Sequence, residues 1–301
     1  MFFLISLHFC RKGKSRNDAT MCDLVLLGLV AISLTKPPVA TVAPKKEWGG
    51  HGSSINLKEI MIGRCFDYLE NVNPSAGVKD CAKIWEEFLK VFSGKDPCSI
   101  KEQDYNNFLR LVEHDIPVNQ SIFWSQTREI TSKFSEITAS FMPLESTLSG
   151  YLVNDLNWCG SRSIKGPNFV SCPSWNDCEN NAARSFWRSA SKLYASKAQG
   201  VVTVMLNGSS TANAFRDTSI FAEIEVGNLD KAKVTLVRLW IIDNLMGPDI
   251  ESCGRGSVGK LELILMEKGI KYICEDNYRP VQILLCVNKV DFPTCNLDLA
   301  P

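Results

Sequence analysis

VVTVMLN at Val201–Asn207, VTLVRLWII at Val234–Ile242 and GIKYIC at Gly269–Cys274 decide the fold of this chain. Each is a short apolar run rich in β-branched residues, and stretches of helical or loop length separate one from the next. Parallel strands require such long crossovers, whereas antiparallel neighbours are joined by tight turns, so the pattern predicts a small parallel sheet. Working back toward the N-terminus, IFWS at Ile122–Ser125 reads as a further short strand, followed by a helix over Thr127–Ser140. Earlier still, Leu57–Glu70 and Cys81–Phe92 carry apolar residues at helical spacing on either side of the turn-rich NVNPSAG, and Gln103–Val112 reads as a shorter helix. The fold class is therefore α/β: a helical N-terminal portion and a small parallel-sheet C-terminal portion.

Cysteine usage points to an oxidising compartment. Ten of the 12 cysteines fall between Cys65 and Cys295, behind an N-terminal apolar segment, and an even number in that setting reads as five disulfides. A metal site needs tight Cys-x2-Cys or Cys/His pairs; the closest spacings here are Cys172 to Cys178 and Cys286 to Cys295, with only 3 histidines in the chain, so no metal is expected. Charge is balanced at 33 basic and 33 acidic residues without a long run of either sign, which argues against a nucleic-acid partner.

The apolar core LVLLGLVAISL at Leu24–Leu34 follows the basic run RKGKSR at Arg11–Arg16. It is about half the ~20 residues a spanning helix needs, so it reads as a cleaved signal peptide. Residues 1–35 are thus expected to be a signal segment, with residues 1–20, which precede Met21, a candidate upstream extension. Residues 36–52 form a Pro-rich linker. After Cys295 only NLDLAP remains, so this C-terminus offers no support for membrane association. The sequons at Asn119 and Asn207 agree with a secretory route to the cell exterior or surface, while proline excludes the one at Asn73.

The chemistry concentrates in PLESTLSGYLVNDLNWCG from Pro143 and in SCPSWNDCENN with the following SFW, ending at Trp187. Acids, three tryptophans and three cysteines lie there among short turns, and carboxylates beside indole rings suit a flat cationic ligand. No GxGxxG, Walker loop, HExxH or GxSxG is present, which removes the local signatures of dinucleotide oxidoreductases, NTPases, zinc proteases and serine hydrolases. On its own residues, EIEV around Glu225 alternates like an ordinary half-buried strand, and Glu145 after Pro143 reads as an acid at a helix start. Trp124 and Trp187 read equally well as core.

FWSQT, PLESTLSGYLVNDLNWCG, SCPSWNDCENN, GVVTVMLNGS, FAEIEVGNL, GPDIESCG and NYRPVQILLCV together resemble the ADP-ribosyl cyclase / cyclic ADP-ribose hydrolase family of NAD glycohydrolases, and within it the bone-marrow stromal antigen branch. The likeness runs from about Ile60 to Cys295. It implies the disulfide pairs Cys65–Cys81, Cys98–Cys178, Cys159–Cys172, Cys253–Cys274 and Cys286–Cys295. It also implies a catalytic glutamate at Glu225, substrate-gripping tryptophans at Trp124 and Trp187, and a glutamate at Glu145 that influences cyclisation against hydrolysis. Asp155, Ser125, Ser191 and Phe221 would complete the substrate contacts. The sequence departs from the family at Asn154 and Ser146, where relatives carry acids, and at Gln126, where a basic residue is common.

The resemblance implies one domain over residues 53–296. Its helical part would cover about 53–117 and 143–199, its α/β part about 118–142 and 200–296, with the site in the cleft between them. The implied activity is NAD glycohydrolysis with some cyclic ADP-ribose formation. NAD would be the substrate, no metal or redox cofactor would be needed, and homodimerisation is left open. The alternative is a catalytically weak receptor or adhesion module that binds nucleotide; the retained Glu225 speaks against it, and the altered Asn154 and Gln126 positions speak for it.

Overall fold

Four parallel strands in the order β1-β2-β3-β4 form the sheet: β1 Ile122–Ser125, β2 Gly200–Asn207, β3 Val234–Ile242 and β4 Tyr272–Asp276. The computed structural model describes residues 47–287 and Cys295. The segment read as a signal peptide, and the linker up to residue 46, lie outside the described residues. Among the described residues, no helix is long and apolar enough to cross a membrane.

Before the sheet come α1 (Leu57–Asp67), α2 (Cys81–Phe92) and α3 (Asn106–Val112). The crossover from β1 to β2 carries α4 (Arg128–Thr138), α5 (Leu148–Val153) and α6 (Ala182–Lys197). A π-helical turn at Phe221–Glu225 runs into α7 (Val226–Asn228) before β3, α8 (Gly256–Glu267) joins β3 to β4, and α9 (Arg279–Cys286) follows β4.

Alternation along the strands explains how the sheet is covered. Successive side chains point to opposite faces. Val202, Val204, Leu206, Val237, Leu239 and Ile241 face the main core with Phe88, Phe108, Trp158 and Phe186 of the helical portion. Ile122, Met205, Trp240 and Ile242 face a second cluster with Phe134 of α4 and Val281 of α9. Both faces are therefore buried, as the near-continuous apolar runs require.

The three predicted strand runs and IFWS all enter the sheet, but GIKYIC is displaced toward its C-terminal end. Gly269 has φ +65 and caps α8, with its N–H donating to Met266 O and that of Ile270 to Leu265 O, so β4 starts only at Tyr272. Cys81–Phe92 is a helix with the predicted bounds, and Asp80 caps it by accepting from the Lys83 N–H at 3.0 Å. The predicted Leu57–Glu70 helix is α only to Asp67 and continues as a π-helical turn over Tyr68–Val72. Gln103–Val112 divides into a 3-10 turn, Glu102–Tyr105, and α3.

Five disulfides join Cys65–Cys81, Cys98–Cys178, Cys159–Cys172, Cys253–Cys274 and Cys286–Cys295, the pairing implied by the resemblance. The Cys98–Cys178 bridge closes the longest loop, with a sequence separation of 80, and ties the segment before α3 to the turns before α6. Among the described residues, the one grouping with metal-ligand proximity is Cys253, Glu262 and Cys274. Its two sulfurs are bonded to each other, and Glu262 accepts from the Gly254 N–H at 3.1 Å, so the group is a structural bridge and cap.

Candidate active site

A cavity of about 880 Å³ opens beside the C-terminal end of β1, where ligands of parallel α/β sheets characteristically bind. Trp124, Ser125, Glu145, Asp155, Trp187, Ser191, Phe221 and Glu225 all line it, so residues dispersed over a hundred positions of sequence come together there. The walls come from the end of β1, the turn before α5, one face of α6 and the π-helical turn before α7.

Glu225 is buried at 7% exposure, the last residue of the π-helical turn. The alternating EIEV pattern therefore does not form a strand. Burial pushes its carboxyl up to about 8; a hydrogen bond from Ser191 of α6 opposes this, and the neighbouring Glu145 charge adds to it. Both burial and the Glu145 charge favour the protonated form of this carboxyl.

Glu145 occupies a 3-10 turn, Leu144–Ser146, between Pro143 and the start of α5. Its Oε2 accepts from Trp124 Nε1 at 3.3 Å, so one of the predicted indoles both walls the cavity and orients an acid. Burial raises the Glu145 carboxyl above its ordinary value, opposed by its own backbone N–H and by Trp124. Gly150 lets this turn close: a Cβ there would collide with Leu144 O and come to 2.7 Å from Glu145 Cα.

Asp155 sits exposed on the rim in the left-handed region at φ +59. Arg128 of α4 donates to Asp155 Oδ1 and Asn154 Oδ1, each at 2.7 Å. The amide at Asn154 thus leaves one carboxylate and one guanidinium here. Gln126, another left-handed residue, spends both ends of its amide on the neighbouring loop: Nε2 donates to Asn213 O and Oε1 accepts from Ser210 Oγ, each at 2.8 Å.

Of the three tryptophans in the Pro143–Trp187 stretch, Trp187 and Trp175 reach the cavity and Trp158 does not. Trp158 is buried in the helical core and donates from Nε1 to Tyr105 Oη at 2.9 Å. Sequence reasoning missed Arg184, Arg216 and Tyr194 as cavity residues. A usable signal existed, because Arg184, Trp187, Ser191 and Tyr194 recur at helical spacing and share one face of α6. Ser125 Oγ and Arg216 Nε are buried without a hydrogen-bond partner among the described residues, leaving polar groups available to a ligand.

The cavity thus carries two carboxyls among indoles, with guanidinium groups of Arg128, Arg184 and Arg216 also in its walls. That layout fits a ligand with a flat cationic head and an anionic tail. A sequence model described as ADP-ribosyl cyclase matches residues 54–295. The human ADP-ribosyl cyclase/cyclic ADP-ribose hydrolase 2 is 40% identical over 256 residues, 85% of this chain and 80% of that one. Porcine CD38 complexed with a covalent intermediate, ribo-F-ribose-5'-phosphate, is 38% identical with a TM-score of 0.73, covering 77% of this chain and 100% of that one. Aplysia cyclase complexed with substrate NGD and product cGDPR is 34% identical with a TM-score of 0.77, covering 82% and 98%. The chain belongs to the ADP-ribosyl cyclase family, a family of enzymes.

Proposed function

We propose that the protein is an NAD glycohydrolase that cleaves the nicotinamide–ribose bond of NAD to give ADP-ribose, with some cyclic ADP-ribose. The observation that carries this reading is Glu225, a buried carboxyl in a cavity walled by Trp124, Trp187 and Glu145. In NAD the nicotinamide nitrogen already bears positive charge. When the bond from ribose C1′ breaks, that nitrogen takes the bonding pair and leaves neutral, so neither a general acid nor a metal or redox group is required.

The protein must stabilise positive charge developing at C1′. Glu225 supplies it, either by ionic contact or by a transient bond from a carboxylate oxygen to C1′. The arriving pyridinium favours ionised Glu225, so substrate binding releases a proton and charges the group that chemistry needs. Trp124 and Trp187 stack on the flat ring, with cation–π attraction of about 0.5–2 kcal/mol holding the ground state. Water then attacks C1′ and loses its proton to solvent, giving ADP-ribose; attack by an adenine ring nitrogen instead closes the cyclic product. Ser125, Ser191, Phe221 and Asp155 are read as further substrate contacts.

Residues 53–296 are proposed as the ADP-ribosyl cyclase-like domain of a chain that enters the secretory pathway. Five disulfides suit that compartment. Asn119 is exposed and Asn207 half-buried, and both are proposed as glycan acceptors. The purified domain, given a fluorogenic etheno-NAD analogue, is expected to raise fluorescence catalytically. Saturable binding without turnover would favour the receptor reading instead.

A further inference from the structure

The Glu145 turn is held from behind by two residues that never reach the cavity. His114, just beyond α3, accepts the Leu148 N–H at its Nε2 at 3.0 Å, while its Nδ1 lies 2.8 Å from Asp115 O. An acceptor at Nε2 and a carbonyl at Nδ1 define the neutral ring with its proton on Nδ1. Tyr68, buried at the start of the π-helical turn after α1, donates from its hydroxyl to Ser146 O at 3.0 Å and lies 3.1 Å from His114 Nε2. The backbone of residues 146 and 148, flanking Glu145 on its C-terminal side, is therefore fixed by side chains of the helical portion.

We infer that His114 and Tyr68 are positioning residues for Glu145, and that they set the partition between cyclic and linear product through the Leu148 N–H and Ser146 carbonyl. This rests on the functional reading above. The two residues act on the turn: among the described residues neither shares a hydrogen bond with Glu225. Burial lowers the His114 pKa, the Asp115 carbonyl opposes this, and the nearby Lys79 and Lys197 charges add to it. The charged or titratable groups around the ring are Tyr68, Lys79, Glu113, Asp115 and Lys197; Lys79 donates to Glu113 O at 2.8 Å and Lys197 approaches His114 O at 3.4 Å. Protonation would place an N–H at Nε2. That group still has the Tyr68 hydroxyl oxygen as an acceptor but opposes the Leu148 N–H, loosening the turn.

The test is the ratio of cyclic to linear product from NAD, with kcat and KM, for the wild type and three variants of the full disulfide-bonded domain. His114→Leu deletes the acceptor and is expected to raise the cyclic share about threefold or more while kcat changes less. His114→Gln offers an amide oxygen to Leu148 N–H, so it should keep the wild-type ratio. Tyr68→Phe, which loses the donor to Ser146 O and the hydroxyl beside His114 Nε2, should move the ratio the same way as His114→Leu by about twofold, and it carries the test if His114→Leu does not fold. A His114→Leu or Tyr68→Phe protein with an unchanged ratio, or a His114→Gln protein whose ratio follows His114→Leu instead of the wild type, overturns the inference. A wild type without turnover defeats the functional reading itself, whereas turnover with an insensitive ratio defeats only this inference.

Discussion

Two aromatic regions of the molecule use the same residue types for opposite ends. In the helical core, Phe88 contacts Phe92, Phe108 and Trp158 at centroid distances of 5.4, 5.1 and 5.3 Å, and Trp158 packs edge-on to Phe186 at 5.6 Å. Every ring there is buried, and the Trp158 N–H is satisfied by Tyr105. In the cavity wall, Trp124 and Trp187 stay half-buried, one handing its N–H to Glu145 and the other meeting the core ring of Phe186 at 5.1 Å. A ring saturated by other rings stabilises the fold, whereas a ring with an open face beside a carboxyl is available to a ligand.

The largest expected effect tests the first half of that contrast. Trp158→Ala removes a buried ring and orphans the Tyr105 contact, so denaturant unfolding should show a loss of about 3–5 kcal/mol. Trp187→Ala should cost the fold only about 1–2 kcal/mol yet lower kcat/KM for NAD about 10- to 100-fold. If Trp187→Ala destabilised the protein as much as Trp158→Ala, the division between the two regions would be wrong.

The pH dependence sharpens the same contrast, because one carboxyl is buried without a counter-charge. The folded-state pKa of Glu225, about 8, lies above the ordinary 4.5, so the fold favours the protonated form. That contribution is fully present below the ordinary value and is lost as pH rises through the folded one. Glu225→Gln avoids charging the site, and its stability advantage over wild type should therefore grow with pH, reaching on the order of a few kcal/mol above about pH 8. In kinetics the sign reverses, since turnover needs the ionised form. kcat/KM should rise with pH toward a plateau above about 8, and the kcat limb should lie lower because bound pyridinium favours the carboxylate. Thermal melts and pH–rate profiles measure the two separately.

Much of this arrangement was legible in the sequence, for reasons that differ by element. The bounds of β3 and α2, and all of β2 but its first residue, follow from β-branched runs and from apolar residues at helical spacing. Glu225 was legible only through family likeness: EIEV alternates, yet the segment closes as a helical turn once Phe221 and Ile224 bury beside it. Trp158 and Trp187 cannot be told apart by type, because what separates them is whether Phe88 and Tyr105 reach the ring, a tertiary fact. Likewise Arg216 reads as an ordinary loop charge until folding buries its Nε.

A smaller effect concerns product choice. Glu145→Ala should raise the share of cyclic product a few-fold while bond cleavage continues, and Gly150→Ala, whose Cβ would push on the Glu145 turn, should move the ratio in the same direction less strongly. Chromatography of the products resolves both, and a ratio unmoved by Glu145→Ala would remove that residue from the partition.

The central claim is that the charge of one buried carboxyl carries the chemistry, and single-turnover and steady-state rates of Glu225→Gln on NAD test it most directly. The amide keeps shape and hydrogen bonding but cannot become negative, so kcat should fall by about 100-fold or more with the thermal transition intact or raised. A correctly folded Glu225→Gln protein that keeps near wild-type kcat would contradict the account.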